Sequence, residues 1–334
     1  MAQDNLNEKS FAEITASCAK VIGYFHLQNN VPPVKRLYVK NSSEEDRENI
    51  KIKIGSSPAF LLPTEITDIR LPRCTTAKFE ADVQLSPLFL DGLAKTEQGE
   101  IHLQVTDGND NVVAEQKFPV QLLPFNACNF VEDPGCLAAF VRRTAELNKL
   151  LNLAGRKVES WGLSSCTGYS GTRNNVRNFF AACYSVLADQ KFTAAEIRKD
   201  ADVAIISDHR ETLISKIASP LEVALMLAAL VEANGQNAII AMINGKWYAG
   251  CFLVNECLPN LRGDDADMLR KKSERGVSDL SLVMMDDLLG GIAFEKAEKS
   301  AQASIKKDAS VDFIVDVKRA RIMHIFPLPE RVRG

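Results

Sequence analysis

One stretch constrains this chain more than any other. Residues Val223–Val231 read VALMLAALV, nine apolar residues in a row, and signals for a helix bracket them. Ser219 suits an N-cap, Pro220 suits the first helical position, and Glu222 stands three residues after the cap. Together these form a capping box. Asn234-Gly235 supplies the stop. A helix of this kind has no polar face to give to water, so it must be covered on all sides by its own domain. Nine residues are far short of the ~20 needed to cross a bilayer. The stretch is therefore the spine of a globular core.

Beyond this helix the chain reads as sheet. Ala238–Ile243 and Trp247–Val254 are strands joined by Asn244-Gly245, a strong hairpin turn. Leu280–Met285 and Val311–Val317 are further strands, and Ile292–Ile305 is an amphipathic helix. Before the spine, Cys136–Leu153 and Asn174–Asp189 have helical spacing, and Ser160–Thr172 is a loop rich in glycine and hydroxyls. The second part of the chain is thus α+β, with helices first and an antiparallel sheet after.

The first part has a different period. Asn49–Gly55 (NIKIKIG) places Ile50, Ile52 and Ile54 on one face and Lys51 and Lys53 on the other. Val34–Asn41, Thr75–Leu85, Glu100–Thr106 and Val112–Leu123 repeat the alternation, with DGND before the last as a turn. Ser86–Lys95 suits a short helix. Residues 1–25 fit either a helix or an edge strand. Several short strands between turns predict an antiparallel β-sandwich over residues 1–126, an α+β domain over 127–317, and a basic linker or tail over 318–334. The 334 residues suffice for two domains.

Composition excludes more than it assigns. Lys+Arg total 40 and Asp+Glu 43, a net charge of −3, which argues against a generally basic nucleic-acid surface. The exception is residues 318–334, where Lys318, Arg319 and Arg321 begin a cationic run able to touch phosphates. No Walker motif occurs, so no ATP-driven motor lies in these residues. Eight cysteines show no CxxC pair, and the four histidines lie far apart, so no metal site or cofactor is expected. With a core of this size the thiols are expected to be reduced and mostly buried, as in a cytoplasmic protein. His26, His102 and His324 are isolated and are expected at the surface or at an interface. Asp264, Asp265 and Asp267 lack the order of a calcium loop. His209, in the polar run SDHRE, could partner Cys183 or Cys166 only by spatial accident.

A buried helix leading into a strand pair and then a third strand resembles the core of the transglutaminase-like, papain-related fold. Ser219–Leu253 is similar to the transglutaminase-like segment near the N-terminus of large bacterial superfamily-1 DNA helicases. There an Ig-like β domain comes first, and the motor comes last. Asp312–Pro329 (DFIVDVKRARIMHIFPLP) is similar to the stretch just before that motor. The resemblance implies an Ig-like sandwich followed by a transglutaminase-like domain. It also implies a helicase or nuclease partner or fused motor, and a setting such as bacterial defence against foreign DNA. It does not carry the catalytic triad. The family's nucleophile position falls on Pro220, its histidine position on Lys246, and its acid near Met284, with Asp286 two residues on. A proline has no nucleophile, and an ordinary lysine is protonated at neutral pH. The expectation is a non-catalytic scaffold or interaction module. The alternatives are a cysteine hydrolase or transglutaminase with a displaced nucleophile, and a nucleic-acid-binding module built on residues 318–334.

Overall fold

A computed structural model of the chain describes residues 11–200, 203–274, 276–305 and 309–330. It divides into two compact units, Met1–Ala127 and Cys128–Gly334. Among the described residues no helix is long and apolar enough to cross a membrane.

The first unit holds two sheets. β1 (Ala12–Cys18), β3 (Val34–Asn41) and β6 (Thr76–Phe79) form one, in the order β1-β3-β6. β2 (Val21–Gly23), β4 (Arg47–Ser57), β5 (Thr64–Leu71), β7 (Glu97–Thr106) and β8 (Val112–Leu123) form the other, in the order β2-β8-β7-β4-β5. Alternation decides what is buried. Ile50, Ile52 and Ile54 of β4 join Leu37 and Val39 of β3 within one apolar cluster, while Lys51 and Lys53 point out and pair with Asp110. The ambiguous N-terminal stretch resolves as strand from Ala12. The chain leaves the first sheet after Cys18 and enters the second at Val21. There β2 lies parallel to β8, so the second sheet is mixed and not wholly antiparallel. The expected strand Thr75–Leu85 ends early: β6 stops at Phe79, and the ladder with β3 stops at Leu37↔Phe79.

In the second unit the helix Pro220–Ala233 is the covered spine its sequence demands, with Leu221 and the run from Val223 to Val231 all buried. It packs on the antiparallel hairpin Ala238–Ile243/Lys246–Phe252, which occupies the middle of a five-stranded sheet. Val311–Asp316 flanks the first strand of the hairpin, Leu280–Met284 flanks the second, and Arg262–Gly263 closes the edge. On its other sides the spine meets helices Ala145–Ser160 and Arg173–Ala188.

The expected helix Cys136–Leu153 is broken. A short turn, Leu137–Phe140, ends before the buried Arg142, and Thr144 starts a new helix by accepting a hydrogen bond from the Leu147 amide. Cys128 and Cys136 are joined as a disulfide, which corrects the expectation of reduced thiols for this pair. The turn Asn129–Asp133, closed by an Asp133 amide bond to the Asn129 carbonyl (3.0 Å), folds the intervening residues back and brings the two cysteines together.

Candidate functional site

The three positions that the resemblance names fall at a helix start (Pro220), a strand start (Lys246) and a strand end (Met284). Ser219 caps the spine. Its hydroxyl accepts from the Glu222 amide (3.3 Å) and donates to the Glu222 carboxylate (2.8 Å). Pro220 occupies the first turn, where a missing N–H costs nothing. At the hairpin turn Asn244 and Gly245 both take positive φ (49° and 69°), the paired left-handed geometry of a tight two-residue turn. That turn sets Lys246 at the start of its strand. The ladder with the third strand ends at Tyr248↔Met284, and Asp286 follows in the next short helix, on the same side as Lys246. Lys246 Nζ lies 3.6 Å from Asp286 Oδ2. The short helix bearing Asp286, Met285–Leu289, packs against the spine. Met284 itself is half-buried against the sheet core, so the acid at this end of the sheet is Asp286.

The pair is a loose surface ion pair. Both side chains are open to water, 57% and 39% exposed, so the attraction is worth at most about 1 kcal/mol. An ammonium has no lone pair to receive a proton, and no thiol or hydroxyl stands at Pro220. Beside it, burial and then the neighbouring Asp286 push the Asp287 carboxyl above the usual range.

His209 is buried, with neither ring nitrogen in a well-aligned hydrogen bond. It begins the helix His209–Ser215, which Asp208 caps. Arg142, buried alongside, donates to Asp208 (3.0 Å). Burial, and then the Arg142 charge, push the imidazole pKa down to about 3. Glu222 links this pocket to the spine's cap. Burial pushes its carboxyl up, but hydrogen bonds from Ser207 and Ser219 outweigh that and leave it below its ordinary range. The charged groups acting on His209 are Arg142, Asp208 and Glu222, and among the described residues no thiol hydrogen-bonds to its ring nitrogens.

The buried thiols gather elsewhere. Gln236 contacts both Cys166 (3.7 Å) and Cys251 (3.9 Å), just past the C-terminal end of the spine. Cys183, also buried, adds to the set, and burial raises the pKa of all three. Such thiols are poor nucleophiles.

The expected basic tail is folded in its first part. Val317–Ile322 is a helix capped by Asp316. Lys318 donates to Asn255 (2.7 Å) and Arg319 to the Leu258 carbonyl (2.7 Å). Arg321 makes five bonds: two to the Glu232 carboxylate, and one each to the carbonyls of Ala138, Val141 and Ile325. A guanidinium has five N–H donors, so Arg321 has none left for a phosphate. Arg331 and Arg333 lie outside the described residues.

Two expectations about histidine change. His26 is buried, and its Nδ1 accepts from the Gly23 amide (3.2 Å); His102 is half-buried beside Glu100. Sequence spacing could not expose the His209 pocket or the Arg321 hub, because both join residues more than sixty positions apart. Among the described residues no cluster of His, Cys, Asp and Glu is placed to hold a metal ion. Compared with known proteins, the chain matches no protein-family model and no curated sequence.

Proposed function

We propose that the chain is a non-catalytic scaffold: an Ig-like β domain followed by a transglutaminase-like domain whose catalytic positions have been converted to structural ones. One observation carries this reading. Where the family chemistry needs an imidazole held by a carboxylate, Lys246 stands 3.6 Å from Asp286, and the helix start that would present a thiol presents Pro220. A triad works only when each role is filled. The resemblance further suggests that the scaffold serves a DNA helicase or nuclease, fused or separate, in a setting such as defence against foreign DNA.

The two alternatives find less support. A displaced cysteine nucleophile would need a base, and among the described residues no thiol hydrogen-bonds to a ring nitrogen of His209. Nucleic-acid binding through residues 318–334 would lack Arg321, whose five donors are all held by intramolecular acceptors.

The test is turnover. The purified chain is incubated with a glutamine-containing casein, a fluorescent alkyl amine and a peptide hydrolysis substrate. Neither amine incorporation nor hydrolysis above the protein-free rate is expected. Turnover that disappears on replacing one cysteine with serine would overturn the reading.

A further inference from the structure

The first unit carries an opening in its smaller sheet. β3 pairs with β6 from Lys40↔Thr76 to Leu37↔Phe79, and there the ladder ends. β3 itself runs on to Val34, still paired with β1 on its other side through Ser17↔Arg36 and, past a bulge at Lys35, Cys18↔Val34. The chain beyond Phe79 leaves the ladder. It is next tied down where the Leu62 amide donates to the Gln84 carbonyl (2.9 Å) and Leu85 bridges Leu61. Val34–Leu37 and Lys78–Ala81 therefore face each other across a slot of about 180 Å³. At Ala81 the slot meets a cleft of about 480 Å³, whose apolar wall includes Val31, Pro32, Pro33, Leu62, Leu85 and Pro87.

This geometry suits one kind of occupant. The exposed backbone of a strand that has lost its neighbour is a template for another strand. Pro32 and Pro33, leading into β3, lack amide donors and hold that side of the cleft in a fixed path. The charges at the mouth set the sign of the occupant. Lys78 is neutralised by Glu80 (3.0 Å). Lys35 and Arg36 are exposed and make no ion pair among the described residues. They leave two adjacent cations beside the slot, against the single carboxylate of Asp82.

We propose that this slot is a docking site for an extended segment of a partner protein that adds to β3 as a strand. The segment alternates apolar residues, which face the proline-lined wall, with Asp or Glu, which meet Lys35 and Arg36. Three residues of β3, Val34–Arg36, lie beyond the last pair, so at ~3.4 Å per residue the segment pairs over roughly 10 Å. This site is independent of the reading of the second unit.

The probe is a fluorescein-labelled heptapeptide, Glu-Val-Thr-Val-Glu-Val-Asp, titrated onto the full chain by fluorescence anisotropy. Three control peptides accompany it: one with Lys for each acidic residue, one with Pro for the central Val, and one scrambled. The acidic peptide is expected to bind, the lysine and proline peptides to bind about tenfold more weakly or not at all. It should also slow amide exchange in 34–36. Lys35→Glu with Arg36→Glu, both at the surface, should reverse the preference between the acidic and lysine peptides. Ala81→Trp, which fills the junction, should abolish binding of both. Absence of binding by the acidic peptide would overturn the proposal. So would equal binding of the proline peptide, or an unchanged preference in the charge-reversed variant with its circular dichroism spectrum intact.

Discussion

Replacing Arg321 with alanine should destabilise the second unit far more than the removal of a surface cation. The guanidinium is only 18% exposed and its partner Glu232 only 30%. The change leaves the Glu232 carboxylate and the carbonyls of Ala138, Val141 and Ile325 without their donor. A bond to a charged partner contributes about 1.5–3 kcal/mol, and breaking a well-buried ion pair costs about 3–5. Water can reach part of this site, so we expect about 2–4 kcal/mol. Arg321→Lys keeps the charge but offers three donors to five acceptors, and should lose about half as much. The assay is urea denaturation followed by tryptophan emission. Both tryptophans, Trp161 and Trp247, lie in the second unit, and Trp247 is buried. With a slope near 3 kcal/mol per molar urea for a unit of this size, the midpoint should fall by about 1 M. A midpoint shift under about 0.2 M, with salt-dependent DNA binding lost in the same variant, would refute the structural role and favour a phosphate-binding one.

Two further perturbations probe the same unit. Ser219→Ala removes the cap and leaves the Glu222 carboxylate short of a donor; the same urea assay should show a loss of about 1–2 kcal/mol. The pH dependence should follow His209, whose folded-state pKa is depressed to about 3. The unfolded imidazole binds a proton near pH ~6.5 and the folded one does not, so stability is full above ~6.5 and falls as pH drops toward ~3, by at most about 1.4 kcal/mol per pH unit. His209→Gln should flatten that slope between about pH 6.5 and 5, above the range where Glu222 contributes; an unchanged slope would show that the loss arises elsewhere.

Period and punctuation made much of the fold legible. Alternation in Asn49–Gly55 lies within the observed strand Arg47–Ser57, and the cap and stop around the spine fall within a residue of its ends. The hairpin was readable because Asn-Gly leaves few other conformations open. What sequence could not show was set by distant partners. Thr75–Leu85 alternates throughout, yet only Thr76–Phe79 joins the ladder, because the residues after Phe79 are drawn to Leu61 and Leu62. Arg319 and Arg321 read as a solvated basic run, since nothing local reveals that Leu258 and Glu232 await them. The candidate site was half visible. Its substituted positions could be named from the resemblance, but the ion pair between Lys246 and Asp286 depends on a strand register no local pattern encodes.

Thiol reactivity tests the non-catalytic account most directly. The native chain is treated with a low concentration of iodoacetamide at about pH 6, and the labelling rate of each free cysteine is followed by mass spectrometry. A catalytic cysteine would be a thiolate at that pH and would react far faster than free cysteine. The account predicts slow labelling led by the exposed Cys74. Cys18, whose pKa burial pushes up to about 11, should lag behind it, and the buried Cys166, Cys183 and Cys251 should react only after denaturation. One cysteine labelling faster than free cysteine, and slowed when His209 is replaced, would contradict it.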